Sequence, residues 1–157
     1  MPSDSAADVP AAIHTNDIAA DPKGPFPIRI PFVHYLGLSL HEFGNGKAVV
    51  GLMPQAHHQN TFDMAHGGVV MTMMDICMLM AGRAMPRDDD DLMKSLITIE
   101  LKTSFMQPAI GDLRALGTCV HRTASMAFCE GALTNETGAI LARATGTFKY
   151  MKQRKPK

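Results

Sequence analysis

NTFDMAHGGVVMTMMDICMLMAGRA, residues 60–84, decides the fold. From Val69 to Ala81 only Thr72 and Asp75 carry strongly polar side chains, so most of the surface of the helix this run forms must be covered. A helix apolar all round is a buried helix. An ionised Asp75 placed there without partners would be costly, so it must be paired, hydrogen-bonded, protonated or open to a cleft. It could cap a neighbouring segment or bond Thr72, three residues earlier on the same helical face.

Gly67 and Gly68 open this helix, and Pro86 with the acidic run RDDDD (87–91) ends it near Met85. Upstream, QAHHQNTFDMAHGG (55–68) reads as a polar loop. Before that, IPFVHYLGLSL (30–40) reads as a short helix with Pro31 in its first turn and Gly37 at its stop. LSLHEFGNGKAVVGLMP (38–54) gives two short strands around Gly44-Asn45-Gly46, residues that accept positive φ. Downstream the period changes to that of strands: SLITIELKTSFMQP (95–108), DLRALGTCVHR (112–122), MAFCEGALTN (126–135) and AILARATGTFKYM (139–151). Turns at Pro108–Gly111 and Asn135–Gly138 separate them. In the first of these strands, Ile97, Ile99, Leu101 and Phe105 are expected on one face and Thr98, Glu100, Lys102 and Ser104 on the other. The order is that of an α+β protein, an antiparallel sheet wrapped around one long central helix.

The chain's 157 residues suit one domain. Residues 1–24, rich in Ala, Asp, Pro and Ser, are expected to form a flexible arm, 25–151 the domain, and KQRKPK (152–157) a solvated basic tail. With 15 basic and 15 acidic residues there is no net charge, so nothing points to nucleic acid or to a membrane surface. The N-terminus lacks a basic then apolar leader pattern, and no run reaches the roughly 18 apolar residues of a membrane span; a cytoplasmic location is expected. Cys77, Cys119 and Cys129 lack C-x-x-C spacing and sit among apolar neighbours, as buried reduced thiols do.

His66 and the two glycines precede the helix, leaving amides that can approach a ligand oxygen closely. With Asp75 they supply an imidazole, unobstructed N–H donors and a carboxylate, the parts needed for attack on a carbonyl carbon. Singly, His66 could be a satisfied loop histidine and Gly67-Gly68 a tight helix entry. A metal site is a competing reading, since His57, His58, Asp63, His66 and Asp75 are suitable ligands, but their spacing matches no H-x-x-x-H or H-E-x-x-H pattern. RDDDD reads as a solvated loop.

The spacing Asn60-x5-His66-Gly67-Gly68-x6-Asp75 resembles the signature of hotdog-fold acyl-CoA thioesterases of the PaaI-like, 4HBT type. The similarity runs from FVHYLGLSLHEFGNGKAVVGL to FMQPAIGDLRALGTCVHRTASMAFCEGALTNETGAILARATGTF, about residues 32–148. It implies hydrolysis of an acyl-CoA thioester to a carboxylic acid and CoA, without a cofactor. Asp75 then matches the helix acid that serves as base or nucleophile, and Gly67 the amide that binds the thioester oxygen. Asn60 and His66 match residues that position the carbonyl and the water, and Thr98 a hydroxyl that orients the water in some relatives. Gly68 and the adaptable Met71 and Met74 would line the substrate site, receiving a medium-chain or aromatic acyl group. Arg122 and Ser125 lie at the TASMAF turn, where relatives contact CoA.

Asp75 follows Gly67 by eight residues, which puts the two roughly 12 Å apart along one helix, too far to hold one thioester. Hotdog dimers are similar in setting two such helices antiparallel across a twofold axis. A homodimer with two composite sites, paired again into a homotetramer, is therefore expected. A hotdog dehydratase and a non-enzymatic acyl-CoA-binding domain are the other readings the fold permits.

Overall fold

In a computed structural model of the chain, the structure describes residue 26 and residues 28–85 and 95–151. The expected N-terminal arm, the RDDDD run and the basic tail lie outside the described residues. The elements are α1 (Pro31–Tyr35), β1 (Ser39–Gly44), β2 (Lys47–Leu52), a 3-10 turn (Ala56–His58), α2 (Gly67–Arg83), β3 (Ser95–Phe105), β4 (Leu113–Arg122), β5 (Met126–Thr134) and β6 (Ile140–Met151).

α2 stops two residues short of the expected Met85, with Ala84 as its C-cap. Its Val70, Met73, Met74, Cys77, Met78, Met80 and Ala81 are buried, and each fully buried methionine contributes about 1.5–3 kcal/mol. What covers them is one antiparallel sheet in the order β1-β2-β4-β5-β6-β3, which curls around the helix. The expected hotdog arrangement is what forms. The helix lies so close to β4 that a Cβ on Gly117 would fall 2.5 Å from the Cys77 carbonyl oxygen and 2.7 Å from its carbon. Gly131 of β5 likewise leaves room for the Met74 and Met78 side chains. The Tyr150 hydroxyl of β6 donates to the Gly82 carbonyl at 2.8 Å, tying down the other end of α2.

The β1–β2 hairpin turns through Asn45 (φ 50°) and Gly46 (φ 74°), the two positive-φ residues of a tight turn matched to strand twist. α1 stops at Gly37 (φ 69°), as its sequence indicates.

One expectation about β3 is corrected. Its pairing with β6 shifts between Thr98 and Glu100, so Ile99 is an extra residue in a bulge. The strict alternation of faces therefore breaks. Leu96 and Thr98 face α2 before the bulge and Leu101, Thr103 and Phe105 after it, while Ile97, Glu100, Lys102 and Ser104 lie on the outer face. β3 is also a terminal strand of the sheet, with one side of its ladder unpaired among the described residues.

Gly117→Ala should lower stability by about 1–3 kcal/mol, the usual cost of an overpacked core, because only backbone movement of α2 can relieve the clash. A thermal melt showing a wild-type midpoint would contradict this close seating of the helix.

Candidate active site

α2 is not covered evenly. Gly68, Met71, Thr72, Asp75 and Leu79, spaced three or four residues apart, form one stripe that retains exposure. Asp75 lies in the middle of it, half buried, and accepts a 2.6 Å hydrogen bond from the Thr98 hydroxyl of β3. The bulge at Ile99 allows β3 to send Thr98 toward the helix while returning Phe105 to that face farther along. Burial pushes the Asp75 carboxyl above its ordinary 3.8, and the Thr98 bond offsets part of that rise. Thr72 is not its partner: that hydroxyl donates to the Gly68 carbonyl at 2.8 Å.

At the helix N-terminus His66 is the N-cap, and its Nδ1 accepts the Gly68 N–H at 2.9 Å. A ring nitrogen that accepts carries no proton, which leaves Nε2 as the ring's donor. The Val69 and Val70 N–H groups both turn back to the His66 carbonyl. That leaves the Gly67 N–H as the helix-entry amide without an acceptor among the described residues. The Gly68 amide, which the sequence offered as a substrate contact, is taken by the cap.

The preceding loop is built to hold this entry. Asn60 Oδ1 accepts the Phe62 N–H at 2.8 Å, and its backbone N–H donates to the Met64 carbonyl at 2.8 Å. Its oxygen is occupied, so its Nδ2 remains as the donor end of the side chain. Buried His58 is the anchor: its Nδ1 accepts the Gln55 N–H at 2.8 Å and its carbonyl accepts the His66 N–H at 2.8 Å. Ala65 donates to the Ala109 carbonyl at 2.9 Å. These contacts carry no sequence motif.

Asp75 and Thr98 therefore meet within one chain at the middle of α2, while His66 and Gly67 stand at its N-terminus with Asn60 in the loop before it. Phe105 is a further residue beside the entry, missed because regular alternation left its position relative to α2 unspecified. Its ring comes 3.5 Å from where a Gly67 Cβ would stand, yet it stays 55% exposed. Met71 is 39% exposed on the open stripe. Met74 differs from expectation: it is fully buried, with its methyl group beside Gly131, so it packs the core. Arg122 differs too. The β4 bulge at Val120 turns it to the helix side, where it is half-buried with its Nη1 buried and without a hydrogen-bond partner among the described residues. Ser125 is exposed in the β4–β5 turn. His57 and His58 have ring centroids 3.9 Å apart, but among the described residues no three His, Cys, Asp or Glu side chains are grouped as a metal's ligand set.

Residues 62–142 match the family model described as the thioesterase superfamily, over half of the chain. The chain belongs to the thioesterase superfamily. The match includes His66, Gly67, Asp75 and Thr98 and begins two residues after Asn60. Among solved structures, the PaaI protein from the phenylacetic acid degradation operon of E. coli aligns with a TM-score of 0.71 at 17% identity, covering 79% of this chain and 86% of that one. A thioesterase from Haemophilus influenzae aligns at 0.68 with 16% identity, over 76% and 82%. A Shewanella oneidensis protein related to the thioesterase superfamily aligns at 0.68 with 25% identity, over 76% and 86%. The likeness to the first two is one of fold. No curated protein matches significantly. Among the described residues no helix is long and apolar enough to cross a membrane.

The raised Asp75 pKa fixes the sign of a stability test. Between the ordinary value and the folded value, the folded chain keeps a proton that the unfolded chain has released, so stability falls as pH rises through that window. Above it the charge is a net burden. Asp75→Asn should therefore raise the melting temperature at neutral pH. Below the ordinary carboxylate value the gain should vanish. Melts across pH that show a destabilised variant at neutrality would mean that Asp75 is not held against a desolvation cost.

Proposed function

We propose that the protein is an acyl-CoA thioesterase, hydrolysing a medium-chain or aromatic acyl-CoA to the free acid and CoA at two sites shared across a homodimer. The observation that carries this reading is Asp75, a desolvated carboxylate held by Thr98 on a largely apolar helix whose entry amide, Gly67 N–H, has no acceptor among the described residues. A carboxylate with a raised pKa is the better base, and an unpaired N–H at a helix N-terminus is suited to an oxyanion. Family membership supports the reaction class.

The dimer follows from distance and from uncovered surface. Roughly 12 Å of helix separates Asp75 from Gly67, so one chain cannot apply both to one thioester. The unpaired edge of β3 and the open stripe of α2 lie side by side, joined by the Thr98–Asp75 bond. A second copy related by a twofold axis would cover both and bring its Gly67 to this Asp75. Exposed Ile97, Val120 and Phe128 on the outer sheet face favour a further pairing into a tetramer. Free Cys77, Cys119 and Cys129 fit a reducing, cytoplasmic setting.

In the reaction, Asp75 activates water or attacks the carbonyl carbon itself. Thr98 holds the carboxylate and orients the water. Gly67 N–H binds the developing oxyanion of the partner's site, with Asn60 Nδ2 and His66 Nε2–H beside it to position the thioester. Thiolate then departs, and because it is a fair leaving group no strong acid is needed. Phe105 and Met71 offer apolar surface to the acyl group, and Ser125 stays available to the CoA portion.

Thiol release from a panel of acyl-CoAs tests the activity. Asp75→Asn should reduce turnover by about 10²–10⁴-fold, the range for a lost general base, with substrate binding retained. Gly67→Pro deletes the N–H at a position where helices accept proline, and should cost about 10²–10³-fold in kcat. Thr98→Val removes the bond that favours the charged form, so the acid limb of the pH–rate profile should move to higher pH. Wild-type turnover in Asp75→Asn would end the assignment, since a binding domain does not need the carboxylate.

A further inference from the structure

Cys119 of β4 and Cys129 of β5 are direct cross-strand partners, and both are buried on the side of the sheet that faces α2. The Cys119 N–H points the other way, to the Gly46 carbonyl at 2.8 Å. Cys119 and Cys129 are therefore a non-hydrogen-bonded antiparallel pair, in which Cα atoms stand about 4.5 Å apart and side chains approach most closely. That separation lies within the range a disulfide spans. The Cys119 thiol donates to the His121 carbonyl at 3.5 Å, and each of the two thiols perturbs the other. The bulge at Val120 turns Arg122 onto the same face, and its buried Nη1 has no hydrogen-bond partner.

We propose that Cys119 and Cys129 form an oxidisable dithiol, which hydrogen peroxide converts to an intrachain disulfide joining β4 to β5. The two sulfurs are not equivalent. The neighbouring Cys129 thiol holds the Cys119 thiol below its usual range despite burial, with help from the Arg122 charge, while Cys129 is pushed up. Cys119 is also the more accessible, 7% exposed against 2% for Cys129. Its thiolate attacks one peroxide oxygen, the O–O bond breaks, and a sulfenic acid and hydroxide form. The Cys129 sulfur then attacks the sulfenic sulfur, the S–O bond breaks, and water leaves with the Cys129 proton. Two thiols are oxidised and one peroxide is reduced to two waters. Cys77 of α2 faces Cys129, but it is fully buried, donates to the Met74 carbonyl at 3.3 Å and has its pKa raised by burial, so it stays out of the exchange.

Trypsin cleavage after Arg122 places the two cysteines in different peptides, 115–122 and 123–143. The full-length protein, freed of reductant, is treated with graded peroxide, alkylated and mapped by mass spectrometry. The expected result is one linked pair of these peptides, loss of two of three alkylatable thiols, and reversal by dithiothreitol. Cys77→Ser should leave the link intact, and Cys129→Ser should instead leave Cys119 as a sulfenic acid that dimedone captures. Arg122→Gln should move the pH dependence of Cys119 alkylation upward and slow oxidation several-fold, while an arginine that only packs would leave the pH profile in place. Three alkylatable thiols persisting at peroxide levels that oxidise glutathione would overturn the proposal, as would sulfinic acid at Cys119 with no linked peptide. Far-UV circular dichroism of the treated protein must match the untreated; a link found only after unfolding also counts against it.

Discussion

The close seating of α2 on β4 is the constraint on which the rest depends. Where Gly117 meets the Cys77 backbone, the helix is nearer to the sheet than any side chain at that position would permit. The methionines along its flanks fill the remaining space. Because the helix is fixed there, the position of each of its residues relative to the sheet is fixed as well. Asp75, two residues before Cys77, is consequently held at the one stripe that the sheet leaves open, within reach of Thr98.

The same geometry separates the chemistry into two places, the middle of α2 and its N-terminus. At one, a carboxylate is kept partly from water and carries a raised pKa. At the other, a histidine cap uses one amide, backward turns use two more, and the Gly67 N–H is left over. A rigid helix cannot bring its middle and its N-terminus together, so the arrangement gives a physical reason for two chains to share each site.

Much of this is written in the sequence, and the reasons differ by element. The central helix was legible because a run this apolar has only one stable placement, and the hairpin because Asn45-Gly46 names its turn. The pair Asp75 and Gly67 stood out as a charge and a bare amide against an apolar background. β3 was misread in its faces because a bulge adds one residue without any distinctive residue type, and that one residue decides which side chains meet α2. Met74 and Arg122 went astray for a related reason. Methionine spacing marks a helix but not which methionines the sheet covers, and a bulge in β4 turned Arg122 inward. His58 was missed as an anchor because its role rests on backbone contacts across a loop.

The shared site is tested most directly by mixing two inactive variants, Asp75→Asn and Gly67→Pro, under conditions where subunits exchange. Each heterodimer then contains one site with both defects and one with neither. Thiol release should recover to about a quarter of the wild-type rate, since half the dimers are mixed and each has one working site of two. If exchange is verified by mass and activity stays at the level of the separate variants, Asp75 and Gly67 do not serve one thioester across the interface.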